Sequence, residues 1–228
     1  MAFVGDAIAS PGKLGNLVGD TDELPRPRAY AVVVPGFAFA THVAAAYSGK
    51  LFQLAADHPL APYEGWLNLV ALFVVGLLLF ATWWVVDAAG ASLTWRAVRR
   101  RFDVAGGGRS SAGLAVALRA SFAPLLPLVA AWAFLRGVYH GTYLAWGLPW
   151  LPYFTVGVTM AWHYGLLGYL VGKLAAGEAT TRPAAAGAVA AACVVALGVL
   201  AVAGVAAFFE LLPPLFRATP GEFIGQVF

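Results

Sequence analysis

The residues able to do chemistry in this 228-residue chain are few, and most are stranded in apolar sequence. An ionisable side chain kept inside a membrane is costly, and so is a functional candidate by default. The four histidines come first. A haem or metal pair needs two imidazoles at matching depth, each with a second-shell partner. Only His42 and His140, both towards the outer ends of their apolar runs, approach that arrangement, and neither has a carboxylate close to it in sequence. His58 falls in a polar loop, and His163 in the inner half of another apolar run. The pattern predicts no cofactor and no metal site, with His42 bonding to a neighbouring helix. No HExxH motif occurs.

Among the acids, Asp87 is the one placed to continue a membrane helix, following Trp83-Trp84 at the expected cytoplasmic edge. Arg119 lies about one and a half turns into the next span, near the same face, and can snorkel towards it. The expectation is an interfacial ion pair, Asp87 with Arg119, joining spans two and three. No acid is expected near the bilayer midplane, where a proton or ion path would need one. Ser121 and Thr155 are isolated hydroxyls of the kind that bond back to their own helix. Gly106-Gly107-Gly108 lacks the GxxxxGK[ST] spacing of a phosphate loop and reads as a flexible link. Cys193 is the single cysteine, which excludes a disulfide framework. No catalytic residue is predicted, and the chain reads as a non-enzyme.

Two patterns suggest contacts instead of catalysis. Arg96, Arg99 and Arg100 fall at i, i+3 and i+4, one face of a helix, with Arg101 one position round. Directly cytoplasmic to a span, such a cluster attracts anionic headgroups at about 1 kcal/mol per charge, and Trp95 would anchor beside it at headgroup level. Gly168-x-x-x-Gly172 and Gly187-x-x-x-Ala191 place small residues one turn apart, which lets helix backbones approach closely. Packing inside one bundle is expected of them in preference to dimerisation.

Positioning these residues takes an all-α, polytopic membrane bundle. Hydrophobic residues are 61% of the chain and charged ones 11%, against about 25% charged in soluble domains. Several runs exceed the roughly 18 apolar residues that mark a membrane span. Five spans are read: residues 29–47, 65–86, 114–135, 151–172 and 183–209. An amphipathic segment over 1–28 precedes them, starting helix at Ser10-Pro11, with no cleavable signal sequence. Residues 48–64 form an interfacial loop, 87–113 hold a cytoplasmic helix after span two, 142–150 lead into span four, and 210–228 form the tail. Lys13, Arg26, Arg28, Arg96, Arg99, Arg100, Arg101, Arg109, Lys173 and Arg182 then fall on one side, against Lys50, Arg136 and Arg217 on the other. The positive-inside rule puts the amino terminus in the cytoplasm and the carboxyl terminus outside a cell membrane.

The layout resembles the Yip (Ypt-interacting protein) domain family of five-span proteins over most of the chain. Ser10-Pro11 precedes a short first segment, and Ala105-Gly106-Gly107-Gly108 forms a glycine-rich connection. Span three opens as Leu118-Arg119-Ala120-Ser121-Phe122-Ala123-Pro124. The pieces Trp162-His163-Tyr164-Gly165-Leu166-Leu167, Gly172-Lys173-Leu174 and Thr181-Arg182-Pro183-Ala184 look like the family's join between its last two spans. Eukaryotic members act in vesicle traffic with small GTPases, but the long amino-terminal domain of many of them is missing here. The Ala- and Gly-rich composition reads as prokaryotic. The resemblance implies topology and no functional residues: a protein that organises anionic lipid, a membrane-protein partner or copies of itself, with no nucleic acid involved. Two other functions stay open. A transporter or channel component would use Pro35, Pro124 and Pro127 to break helices along a path. A membrane anchor subunit of a larger complex would hold a quinone or haem through His42 and His140.

Overall fold

The computed structural model describes residues 10, 12–13, 34, 36–41, 54, 56–104, 108–122, 125, 127, 130 and 151–217. Among these the chain is helical, with no strand and one isolated bridge, Val104 to Ala179. Four helices carry the fold: α1 (Glu64–Phe102), α2 (Gly108–Phe122), α3 (Leu151–Glu178) and α4 (Pro183–Arg217). Residues 34 and 36–41, within the expected first span, are helical as well. His42, His140, Pro35, Pro124 and the 142–150 lead lie outside the described residues.

Helix α1 starts behind a 3-10 turn, Ala61–Tyr63, which takes Pro62 where a missing N–H is harmless. Glu64 in the first turn and Arg99, Arg100 and Arg101 in the last complement the helix dipole. No proline interrupts its 39 residues, so it runs for about 58 Å at 1.5 Å per residue. It therefore joins span two and the helix expected after it into one rod. Asp103 ends the rod in the left-handed conformation, φ 44°, which Asp tolerates through local hydrogen bonding. Helix α2 starts at Gly108, ahead of the predicted residue 114, so the third glycine of the expected flexible link is already helical. Helix α4 begins at Pro183, as expected of a proline at the first position, and continues past residue 209 through Pro213-Pro214 to Arg217.

Among the described residues, two helical stretches are long and apolar enough to cross a membrane: Ala61–Phe102, holding an 18-residue window of mean hydropathy 2.6, and Pro183–Gly204, holding one of 2.5. Their apolar side chains face outwards. Trp66, Leu69, Val70, Phe73, Leu77, Leu78 and Val85 on α1 are more exposed than buried or nearly so. A patch of that extent would be a liability in water.

The core lies between the lower half of α1 and helices α2, α3 and α4. Helices α3 and α4 pack antiparallel along a seam of small residues. A Cβ on Gly172 would come 2.8 Å from the Gly187 carbonyl oxygen, and one on Gly168 would come 3.1 Å from that of Ala191. The two small-residue pairs noted in the sequence thus meet each other. The seam continues to Gly198, where any Cβ would overlap the Tyr164 ring. At the far end, the α3–α4 turn caps α1: Thr180 Oγ1 donates to the Asp103 carbonyl at 2.8 Å and Thr181 Oγ1 to that of Phe102 at 3.1 Å. These bonds satisfy carbonyls that a helix end leaves without partners. They bring the α1 arginines, Lys173 and Arg182 to one end of the bundle.

Replacing Gly172 with Leu should force α3 and α4 apart and lower thermal stability in detergent, by about 1–3 kcal/mol on the scale of overpacked cores. Gly65→Ala, where a Cβ meets nothing within 4 Å, should cause no loss, and thermal unfolding of both variants checks the contrast.

Candidate functional site

Helix α1 buries a stripe at helical spacing: Gly76, Phe80, Asp87, Ala91, Thr94, Trp95 and Val98. Asp87 stands in register with this stripe and has no exposed surface. A carboxylate in that position must be hydrogen-bonded or the fold loses several kcal/mol. Helix α3 supplies the bonds. His163 Nε2 lies 2.7 Å from Asp87 Oδ2, and the Tyr164 hydroxyl donates to Oδ1 at 2.8 Å. His163 is also fully buried.

The other imidazole nitrogen fixes the proton inventory. His163 Nδ1 lies 3.0 Å from the Ser121 carbonyl oxygen of α2. A backbone carbonyl only accepts, so Nδ1 must carry a hydrogen and donate it. One proton then lies between Nε2 and Oδ2, whether it is written on the imidazole or on the carboxyl, and the pair is neutral as a whole. Ser121 keeps its hydroxyl out of this contact by donating to the Leu118 carbonyl at 2.7 Å, the back-bonding expected of an isolated serine in an apolar helix.

Aromatic rings enclose the imidazole. Ring centres of Phe122, Trp83 and Tyr164 lie 4.5, 4.8 and 4.9 Å from that of His163. Phe80 and Trp84 pack against Phe122, and Phe39 of the 36–41 helix packs against Trp83. The indole Nε1 of Trp83 is buried with no hydrogen-bond partner, one unused donor in this shell. Gly198 makes room for the Tyr164 ring, and Gly90 accepts Leu197 of α4 one turn from Asp87. The small-residue seam is therefore what aims Tyr164 at the carboxylate.

At the capped end, Arg96, Arg99, Arg100, Asp103 and Val104 line a groove of about 550 Å³. All four arginines, Arg101 included, are exposed. None forms an ion pair with another described residue. The groove offers three guanidinium groups to an anion.

The placement corrects several expectations. Asp87 does not pair with Arg119: both carboxylate oxygens are taken by α3, and Arg119 sits half-buried on α2 with no ion pair to Asp87. Trp95 is not a headgroup anchor. It is 8% exposed, because its helical phase falls with Ala91 and Val98 in the core stripe. Asp87 lies inside the packed helices and not at an open edge. His58 accepts a hydrogen bond from the Leu60 amide at 3.1 Å, within its own loop. Among the described residues, no three His, Cys, Asp or Glu side chains gather as a metal cage.

Sequence reading missed the Asp87–His163–Tyr164 cluster by seeking a partner for Asp87 on the next span. Two signals pointed to it. Asp87 shares the phase of the apolar stripe, and His163 lies at a matching depth in its own run. Comparisons with protein-family models, with curated proteins and with solved structures return no match for this chain.

A buried pair costs most when only one member is removed. Asp87→Leu or His163→Leu alone should each cost about 3–5 kcal/mol of stability, and the double variant much less than their sum. Asp87→Leu should combine additively with Arg119→Ala. Thermal unfolding of this set in detergent checks both; additivity for Asp87 with His163 would contradict the pairing.

Proposed function

We propose that this chain is a five-span membrane protein of the Yip type, with no active site of its own, that organises anionic lipid at its arginine-bearing end. One observation carries the reading: three exposed arginines, with no ion pair to another described residue, line a groove at the end of a helix suited to cross a membrane. Lipid phosphates suit guanidinium groups presented at that level, through charge-assisted and often bidentate hydrogen bonds. The exposed apolar face of α1 ends at Leu93, and Arg96 follows one turn later. The groove would then open at the headgroup layer, on the cytoplasmic side by the positive-inside rule. Lys173 and Arg182, at the same end, add to its positive field. A role in holding lipid or a partner, without chemistry, fits the Yip-like layout, and the seam between α3 and α4 would keep the end rigid.

The groove also sharpens which arginines matter. Arg96, Arg99 and Arg100 line it, whereas Arg101 lies one position round. At about 1 kcal/mol per charge near an anionic surface, changing all three to glutamine should cost roughly tenfold or more in retained phosphatidylglycerol. Arg101→Gln should change little. The measurement is native mass spectrometry of lipid retained per protein from nanodiscs, at low and high salt, because screening weakens exposed charges. Equal retention by the triple variant and the native chain, in unchanged topology, would leave the arginines as an insertion signal only.

A further inference from the structure

The buried Asp87–His163–Tyr164 cluster asks for a role that lipid binding does not use. We infer that it is a proton-binding site inside the bundle, and that taking up a second proton parts α3 from α1.

With Nδ1 donating to the Ser121 carbonyl, the closed geometry holds one proton between Nε2 and Oδ2, and the cluster is neutral. A second proton leaves imidazolium beside a neutral carboxyl. The cluster then carries a net positive charge among Phe122, Trp83 and Tyr164, where no described residue offsets it. Removing the one proton is no better, because it sets a bare carboxylate against an imidazole lone pair at 2.7 Å. The closed contact between α1 and α3 is therefore most favourable in the singly protonated state. Because the parted form binds one proton more than the closed form, falling pH favours parting.

Among the described residues, none compensates this charge. From α1, the residues facing the pair are Asp87 itself and Trp83. From α2 they are the Ser121 carbonyl and Phe122, and Arg119 makes no ion pair with Asp87. From α4, Gly198 and Leu197 face Tyr164 and Gly90 without charge, and the 36–41 helix contributes Phe39 against Trp83. Depth points the same way. Asp87 lies nine residues before Arg96 and His163 ten before Lys173, about 13 and 15 Å along their helices. With Arg96 and Lys173 at the membrane boundary, the pair falls near the middle of a hydrocarbon layer of about 30 Å. A proton arriving there has crossed half the membrane, as in the proton relays of transport proteins.

Removing both groups that exchange protons separates a proton site from a plain structural lock. In the double variant Asp87→Asn, His163→Gln, amides replace the carboxyl and the imidazole, so a hydrogen bond between α1 and α3 can form while neither side chain takes up a proton. Spin labels at Val85→Cys on α1 and Trp162→Cys on α3, both exposed positions, report the helix separation in a Cys193→Ala background. The full chain in nanodiscs is measured by pulsed electron resonance from neutral pH to about pH 4, around the carboxylate and imidazole range. Expected is a longer or broader distance in acid for the native cluster, and an unchanged one for the double variant Asp87→Asn, His163→Gln. No acid-dependent change in the native cluster overturns the inference, as does the same change in the double variant. Should the double variant fail to fold, Tyr164→Phe decides. It removes a donor that favours the carboxylate, so parting should move to higher pH, and an unmoved transition overturns the inference.

Discussion

One carboxylate with no access to water sets the terms for the rest of this bundle. Asp87 falls on the face of α1 that must be buried, so its oxygens need donors from another helix. The donors are consecutive residues of α3, and the imidazole among them is held from behind by a carbonyl of α2. Three helices thus meet at one side chain. Non-directional apolar contact would let them slide past one another, whereas bonds of 2.7, 2.8 and 3.0 Å fix their axial register.

The small-residue seam serves that register. Gly172 against Gly187 and Gly168 against Ala191 bring α3 and α4 to backbone contact, and Gly198 further along α4 leaves space for the Tyr164 ring. A side chain at Gly198 would push Tyr164 off the carboxylate, and a side chain at Gly172 would tilt the whole helix that carries His163. At the other end, Thr180 and Thr181 close the last carbonyls of α1. The arginines of α1 and the cations of the α3–α4 join are held together there, so the groove inherits its shape from the same packing.

Much of this was legible in the sequence, and the remainder failed for physical reasons. Helix type, the helices read as spans two, four and five, and the small-residue pairs follow from apolar run length and spacing, which are local. The continuation of α1 to Phe102 was visible in the absence of any breaker. The partner of Asp87 was not, because pairing across 76 positions depends on which helices are neighbours, and spans adjacent in sequence are only one choice. Trp95 was misplaced for a different reason. Its type suggests a membrane interface, but its phase with Ala91 and Val98 puts it in the core, and phase decides when a helix packs on one side.

Which nitrogens of His163 carry hydrogen decides whether one shared proton holds α1 to α3. Nitrogen-15 NMR of histidine-labelled protein in lipid bilayers reads this directly, with the His163 signals assigned by their loss in His163→Gln. At neutral pH, Nδ1 should be protonated, and the Nε2 signal should show a strong hydrogen bond that changes in Asp87→Asn. An unprotonated Nδ1, or an Nε2 signal unchanged by Asp87→Asn, would contradict the shared proton.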